Sequence, residues 1–133
     1  LSKEKTQGRF VVPTEAYRDE GISYHYAPPS DYIKIKNHEK IADIFKELHF
    51  PYVKGRIWTT DAFLRETAGQ IAIRQQEGCI AVDMEVAGMQ SVCDFHGFDL
   101  IRGYLGLAPV HWSSKAFSTI SSRVSRKYCS STP

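Results

Sequence analysis

Residues 79–89 read Cys-Ile-Ala-Val-Asp-Met-Glu-Val-Ala-Gly-Met, an apolar run that ends in two acids before a helical pattern begins. The apolar run predicts a buried strand, so Asp83 and Glu85 would follow its carboxyl end. Ligands of α/β proteins bind at the carboxyl ends of strands, where a carboxylate can accept hydrogen bonds from ligand hydroxyls. A sugar diol would suit that geometry.

The same two acids also have a purely structural explanation. Aspartate is a favoured N-cap residue, and a glutamate in the first helical turn complements the helix dipole. The helix itself is predicted by a stripe of small and apolar residues that precedes Gly97, namely Met84, Ala87, Gly88, Ser91, Val92 and Phe95. The residue pattern alone therefore leaves helix capping and ligand binding as alternatives.

Strand and helix patterns alternate on either side of this stretch. Strands are expected at about residues 9–13, 52–59, 79–82 and 98–104, and helices after Asn37, at 66–76 and at 84–96. The helix after Asn37 carries one apolar face, formed by Ile41, Ile44, Phe45 and Leu48. This alternation predicts an α/β domain over residues 1–104, with helices layered on a sheet.

Residues 82–88, Val-Asp-Met-Glu-Val-Ala-Gly, resemble the Glu/Asp-Met-Glu-x-Ala signature of the nucleoside phosphorylase family. Residues 13–26, Pro-Thr-Glu-Ala-Tyr-Arg-Asp-Glu-Gly-Ile-Ser-Tyr-His-Tyr, look like the family's mid-domain segment in uridine phosphorylase-like members. Residues 55–63, Gly-Arg-Ile-Trp-Thr-Thr-Asp-Ala-Phe, look like the strand and loop before its base-binding aromatic. A chance match to three motifs in the family's order is much less likely than a chance match to a single motif. The resemblance implies a layered αβα fold, partial in this chain, with a central mixed sheet.

The resemblance also implies a reaction, the cleavage of a nucleoside's ribosyl N-glycosidic bond by phosphate. Its products are ribose 1-phosphate and the free base. Glu85 matches the family acid that holds the ribose hydroxyls, and Met84 matches the residue that packs on the sugar. Asp83 stands where many members have Glu, and Phe63 matches the aromatic that stacks on the base. These four residues are the expected substrate contacts.

Four further residues are weaker candidates. Asp61 would contact the base or cap the turn that it begins. Arg65 and Arg74 would contact a carbonyl of the base, or would lie on a solvated helix surface. His25 matches a family residue beside the ligand cavity, although a structural histidine fits equally well. No residue is identified as the acid that protonates the leaving base, so the catalytic residues stay unknown.

The family's phosphate pocket has no counterpart in residues 1–133. It is built from a Gly-rich strand turn, arginines of the first half and a Ser/Thr-containing Gly loop. The family's later Asp-containing loop is also not matched after residue 101. The sequence therefore predicts the second part of a phosphorylase domain, inactive alone unless a partner completes the site. The alternatives are a non-catalytic nucleoside-binding or structural remnant, and a nucleosidase that uses water.

Composition narrows the class of protein further. With 42% hydrophobic and 24% charged residues, the chain fits one globular domain, and no apolar run approaches the ~20 residues of a membrane span. The start lacks a signal-peptide core, so a cytoplasmic protein without membrane partners is expected. Cys79, Cys93 and Cys129 lack the spacing of a zinc site or a disulfide framework. We expect no metal and no cofactor, with phosphate as co-substrate and a nucleoside as substrate.

Residues 105–133 form a tail of different composition. Residues 101–133 hold five basic residues and no acid, whereas residues 1–100 hold 12 basic and 15 acidic residues. Eight serines follow from Ser113 onward. This composition predicts a solvated or disordered terminus; contact with phosphates or RNA is the alternative, and no nucleic-acid partner is expected.

An incomplete domain would leave strand edges and apolar faces open, so a homo-oligomer is expected.

Overall fold

One mixed sheet built around a long central strand organises the fold. The computed structural model describes residues 1–100 and the backbone of residues 104 and 105. The strands are β1 (Phe10–Asp19), β2 (Tyr32–Lys34), β3 (Tyr52–Thr60), β4 (Cys79–Asp83) and β5 (Tyr104–Leu105). They lie in the order β2-β1-β3-β4, and β5 pairs with the start of β1. The β1, β3 and β4 strands are parallel, whereas β2 and β5 run antiparallel to β1.

Helices cover both faces of this sheet. They are α1 (Lys3–Thr6), α2 (Ser23–Tyr26), α3 (His38–Glu47), α4 (Ala68–Gln76) and α5 (Val86–His96), with a 3₁₀ turn at Phe63–Arg65. No helix in the described part of the chain combines the length and apolarity that crossing a membrane requires.

Alternating side chains of β1 divide the core between two helices. Phe10 and Val12 pack with the apolar face of α3, whereas Val11 packs in a second cluster with Val86 and Ala87 of α5. Because successive side chains of a strand point to opposite faces, α3 and α5 lie on opposite sides of the sheet. This arrangement confirms the predicted layered α/β fold with a central mixed sheet.

An irregularity in β1 keeps the second cluster continuous. Ala16 belongs to the same cluster as Val11, although the two are an odd number of residues apart. The register with β3 shifts between Pro13 and Glu15, so one extra residue changes which side chains face α5. The second half of β1 thereby keeps its apolar contact with that helix.

Several element boundaries differ from the sequence expectations. The β1 strand continues to Asp19, six residues beyond the predicted end. The described β5 strand, Tyr104–Leu105, overlaps the expected range 98–104 at residue 104 and extends one residue past it. Asn37 precedes α3 but makes no capping bond; its side-chain amide instead donates to Asp99 and to the backbone of Leu100. The predicted tail, residues 105–133, lies outside the described residues except for the backbone of residue 105.

Candidate functional site

A cavity of about 670 Å³ lies at the carboxyl edge of the parallel strands. Three acids reach it, each just beyond a different strand: Glu20 after β1, Asp61 after β3 and Glu85 after β4. Parallel strands bring their carboxyl ends to one edge of the sheet, which is why residues distant in sequence meet here. His25 also lines the cavity.

The first two acids are held by backbone amides. Asp61 Oδ2 accepts a hydrogen bond from the Gly21 amide at 3.1 Å, which joins the ends of β3 and β1. Glu20 is only 8% exposed, and its two carboxylate oxygens accept from the Ser23 amide at 3.0 and 3.3 Å. The cavity wall therefore contains a largely buried carboxylate that the sequence analysis did not single out.

Arg18 shapes the loop that carries Glu20 and His25. Its guanidinium donates to the Ser23 hydroxyl at 2.8 Å and to three backbone carbonyls, those of Ala27, Pro28 and Ser30. It also lies 4.2 Å from the centroid of the Tyr24 ring. Because the side chain is 3% exposed and bonded on several sides, Arg18 is a structural support of this loop.

Asp83 organises the start of α5. Its Oδ2 accepts from the amides of Glu85 at 3.1 Å and Val86 at 2.9 Å, while Oδ1 accepts from the Thr59 hydroxyl at 2.7 Å. These hydrogen bonds support helix capping as the role of Asp83. Asp83 is not among the cavity-lining residues, and its direct contact with substrate stays a prediction.

Met84 and Glu85, by contrast, both line the cavity. Met84 is 49% exposed and continues an apolar wall with Ile22 and Met89. The Glu85 side chain makes no capping bond at the start of α5. The structure thus separates the two acids of the opening motif: Asp83 faces the helix start and Glu85 lines the cavity.

Close packing of α5 against the loop after β1 closes one side of the site. A Cβ atom placed on Gly88 would lie 3.4 Å from Ile22 and 3.7 Å from Glu20 Oε2. Further along α5, the thiol of Cys93 lines the same cavity. Burial, and secondarily the nearby charge of Asp94, raises the pKa of Cys93, which keeps the thiol protonated at neutral pH.

The remaining predicted contacts lie outside the cavity lining. Phe63 and Arg65 are exposed on the 3₁₀ turn that follows Asp61, and Phe63 is 57% exposed. Arg74 lies over the Tyr17 ring, 3.6 Å from its centroid, with one guanidinium nitrogen 2.8 Å from Glu77. Among the predicted residues, the structure therefore brings His25, Asp61, Met84 and Glu85 together, and leaves Phe63, Asp83, Arg65 and Arg74 beyond the lining.

Glu20 and Ile22 are lining residues that sequence reasoning missed. Both belong to the Arg-Asp-Glu-Gly-Ile segment that carries part of the family resemblance. The predicted end of β1 at about residue 13 hid their position at the sheet edge. Within residues 1–100, no group of three or more His, Cys, Asp or Glu side chains could hold a metal ion.

Comparisons with known proteins agree with this architecture. A model of the Phosphorylase superfamily matches residues 2–109. An AMP nucleosidase from Bacteroides thetaiotaomicron superposes with a TM-score of 0.71 at 21% identity, covering 98% of this chain and 58% of that protein. A P. knowlesi homologue of P. falciparum PNP superposes with a TM-score of 0.69 at 15% identity, covering 92% and 56%. No curated protein matches the chain. At these identities the two structures show the shared fold, and the chain spans less than two thirds of either.

Proposed function

This chain belongs to the phosphorylase superfamily, and we propose that its cavity binds a nucleoside whose N-glycosidic bond is then cleaved. The observation that carries the proposal is Glu85, a carboxylate in the cavity at the carboxyl edge of β4, beside the apolar Met84. A carboxylate next to an apolar surface suits a sugar, which offers hydroxyl donors on its edge and C–H groups on its face. The reaction would be part of nucleoside salvage.

Glu85 would bind the ribose hydroxyls and Met84 would pack on the sugar ring. As the glycosidic bond breaks, the ribose takes on oxocarbenium character and its hydroxyls become stronger hydrogen-bond donors. The bonds to Glu85 would then strengthen in the transition state, which lowers the barrier rather than only tightening substrate binding. Asp61 would lie near the base, and Phe63 would stack on it after a movement of the 3₁₀ turn.

The first candidate reaction is phosphorolysis, which makes the protein a pentosyltransferase. A phosphate oxygen forms the new bond to C1′, the C1′–N bond breaks, and its electron pair goes to the base nitrogen, which takes up a proton. Phosphate usually needs cationic side chains or helix amides. The lining residues within the described chain include neither Lys nor Arg. Cationic side chains that hold phosphate would therefore come from outside this described lining.

Two other candidate functions need no bound phosphate. Hydrolysis needs a water molecule in place of phosphate, so a nucleosidase would use the same ribose contacts. A non-catalytic nucleoside-binding protein would keep Glu85 and Met84 without any reaction. The chain spans 58% of the AMP nucleosidase and 56% of the PNP homologue, which leaves room for a site completed by other residues.

Release of base from uridine, inosine and adenosine by the 133-residue chain, with and without phosphate, separates these candidates. Release that requires phosphate supports phosphorolysis, and release without phosphate supports hydrolysis. Nucleoside binding without release supports the non-catalytic candidate. Failure to bind or cleave any of the three nucleosides would contradict the proposal.

Self-association is the second part of the proposal. Rings of Tyr26, Phe95 and His96 lie within contact distance of one another at the surface, and the Phe98 ring stacks near His96. We call this group the aromatic surface; Phe95 and Phe98 are 64% and 68% exposed. A second copy of the chain is the proposed occupant, because exposed apolar groups of this kind favour association. A cytoplasmic location stays a prediction from the sequence.

A further inference from the structure

We propose that Thr59 and Asp61, two side chains at the carboxyl end of β3, are positioning residues that hold the two walls of the cavity in place for a nucleoside. One wall is the loop after β1, which carries Glu20 and Ile22, and the other is the start of α5, next to Glu85. This role rests on the proposed function, because it presumes that a nucleoside occupies the cavity. Both side chains would act through neighbouring groups of the protein rather than through the base.

The β3 strand lies between the two strands that lead into these walls. It pairs in parallel with β1 on one side and with β4 on the other, and the register places Thr59 beside Arg18 of β1 and Asp83 of β4. Parallel strands bring their carboxyl ends to the same edge of the sheet. A side chain at the end of the middle strand can therefore contact the segments that follow either neighbour.

Thr59 fixes the wall formed by α5. Its side chain is buried, and its hydroxyl donates to Asp83 Oδ1 at 2.7 Å and accepts from the amide of Ala87 at 3.3 Å. A hydroxyl combines one donor with two acceptor lone pairs, so a single group serves both partners. The same Asp83 carboxylate accepts from the amides of Glu85 and Val86. Thr59 thereby joins β3, β4 and the first turn of α5.

Asp61 fixes the wall formed by the loop after β1. Its Oδ2 atom accepts from the amide of Gly21 at 3.1 Å, and its own amide donates to the carbonyl of Asp19 at 3.3 Å. Gly21 stands between Glu20 and Ile22 in the sequence, and both of these side chains line the cavity. The bond from Asp61 therefore sets the backbone that carries two lining side chains.

A different side chain caps the turn that follows β3. The Thr60 hydroxyl accepts from the amide of Ala62 at 3.2 Å. The hydrogen bond of the Asp61 side chain goes instead to Gly21, which lies 40 residues away in the sequence. The Asp61 carboxylate thus acts between elements of the fold rather than within its own turn.

The two walls pack directly against each other. A Cβ atom on Gly88 of α5 would lie 3.4 Å from Ile22 and 3.7 Å from Glu20 Oε2. Because protein interiors are close-packed, a displacement of either wall changes the shape of the cavity. A misplacement of about 1 Å can lower a rate by about 100-fold, so a nucleoside that contacts both walls should be sensitive to the loss of either hold.

Amide hydrogen exchange of the ligand-free chain tests the two contacts separately. D61A should raise the exchange rate of the Gly21 amide at least about 10-fold, whereas D61N should retain its protection, because the side-chain amide oxygen can still accept. T59V should likewise raise the rate of the Ala87 amide, and T59S should retain its protection. D61A and T59V are matched controls for each other, since Gly21 and Ala87 report different walls. NMR spectroscopy of the isotope-labelled chain measures both rates.

Calorimetric titration of adenosine, inosine and uridine tests the positioning role itself. D61A should weaken the binding of all three by the same factor, at least about 5-fold, because a wall is displaced and no contact with the base is removed. D61N should bind all three within about 2-fold of the wild type. T59V should also weaken binding, and T59S should restore it. D43N should bind like the wild type, since Asp43 is an exposed acid of α3 on the opposite face of the sheet.

Melting temperatures well above the titration temperature establish that each variant is folded. Because Asp61 is exposed, D61A tests the role even if the buried T59V variant does not fold.

Four results would count against these roles or against the function beneath them. A loss in D61A that differs among the three bases, or an equal loss in D61N, would overturn positioning by Asp61 in favour of direct contact with the base. Unchanged exchange of the Gly21 amide in D61A, or wild-type affinity in a folded T59V, would overturn the holding of the corresponding wall. A wild-type chain that binds none of the three nucleosides would contradict the proposed function, and the exchange rates would separately decide whether the walls are held.

Discussion

At the scale of single residues, Asp83 and Glu85 show how two acids separated by one residue take different positions. Both were expected near the substrate, and both fit a helix start. The Asp83 side chain is bonded to two amides of α5 and to Thr59, whereas Glu85 lines the cavity. The sequence contained both possibilities, but only the direction of each side chain distinguishes them. The register of β3 and β4 pairs Asp83 with Thr59, whose hydroxyl donates to the Asp83 carboxylate.

Replacing Asp83 with alanine should lower the free energy of unfolding by about 1–2 kcal/mol, the usual cost of losing a helix cap. D83N should recover part of the loss, because the amide oxygen can still accept from the helix amides. Urea denaturation measures both variants. E85A is the comparison, with an expected loss below about 1 kcal/mol, since the Glu85 side chain makes no capping bond and an acid at a helix start acts through the helix dipole. Equal losses of unfolding free energy in D83A and E85A would contradict the assignment of the helix cap to Asp83.

Cys93 provides a chemical probe of the cavity. Because burial and Asp94 raise its pKa, the reactive thiolate is scarcer at a given pH than in a free thiol. We expect alkylation by iodoacetamide at pH 8 to be slower than for glutathione, with its pH dependence displaced to higher pH. Adenosine at saturation should slow it further, since Cys93 lines the cavity. Peptide mapping identifies the modified cysteine. Alkylation of Cys93 as fast as that of glutathione would contradict the raised pKa, and alkylation that adenosine does not slow would contradict the position of Cys93 in the ligand cavity.

At the scale of elements, the sequence predicted the strands and helices that carry strong periodicity and missed those shaped by tertiary contacts. The β3 strand and α5 lie close to their expected ranges. The second half of β1 was missed because Arg18 is buried there, so apolar alternation breaks down although both edges of the strand are paired. Glu20 went unrecognised for the same reason. Side-chain bonds to distant carbonyls cannot be read from local pattern.

Two glycines test the packing between elements. A Cβ atom on Gly55 of β3 would lie 2.6 Å from Cδ1 and 3.0 Å from Cγ1 of the buried Ile80, whereas one on Gly69 of α4 meets nothing within 4 Å. G55A should therefore lower the free energy of unfolding by about 1–3 kcal/mol through overpacking. G69A should raise it by about 0.4–1 kcal/mol, because alanine restricts the unfolded chain and favours helix. Denaturation of the two variants side by side measures the contrast, and a stable G55A would show that Ile80 can move aside.

At the scale of the whole molecule, the sheet order brings three acids from distant parts of the sequence to one cavity. The order β2-β1-β3-β4 could not be derived from the strand pattern, which fixes neither the neighbours of a strand nor their direction. Three motifs in family order predicted the fold class, and the superfamily match over residues 2–109 confirms it. Phe63 was placed by resemblance; it lies exposed on the 3₁₀ turn outside the cavity lining, and its contact with a base stays a prediction.

The aromatic surface predicts association of the chain. Light scattering after size exclusion at micromolar concentration should give a dimer or larger species. F95S together with F98S should shift it toward the monomer, because two largely exposed rings lose their apolar contact. F63S is the matched control, as Phe63 is similarly exposed but lies outside the aromatic surface. A wild-type monomer, or equal effects of both sets of substitutions, would contradict the proposed interface.

The central claim is that Glu85 binds the ribose of a nucleoside in the cavity at the carboxyl edge of β4. Its most direct test is a calorimetric titration of adenosine into the wild-type chain and E85Q, with each variant's melting temperature measured in parallel. We predict measurable binding to the wild type and an affinity at least about 10-fold lower in E85Q, at an unchanged melting temperature, because a hydrogen bond to a charged group contributes about 1.5–3 kcal/mol. Equal affinities, or no binding by the wild-type chain, would contradict the claim.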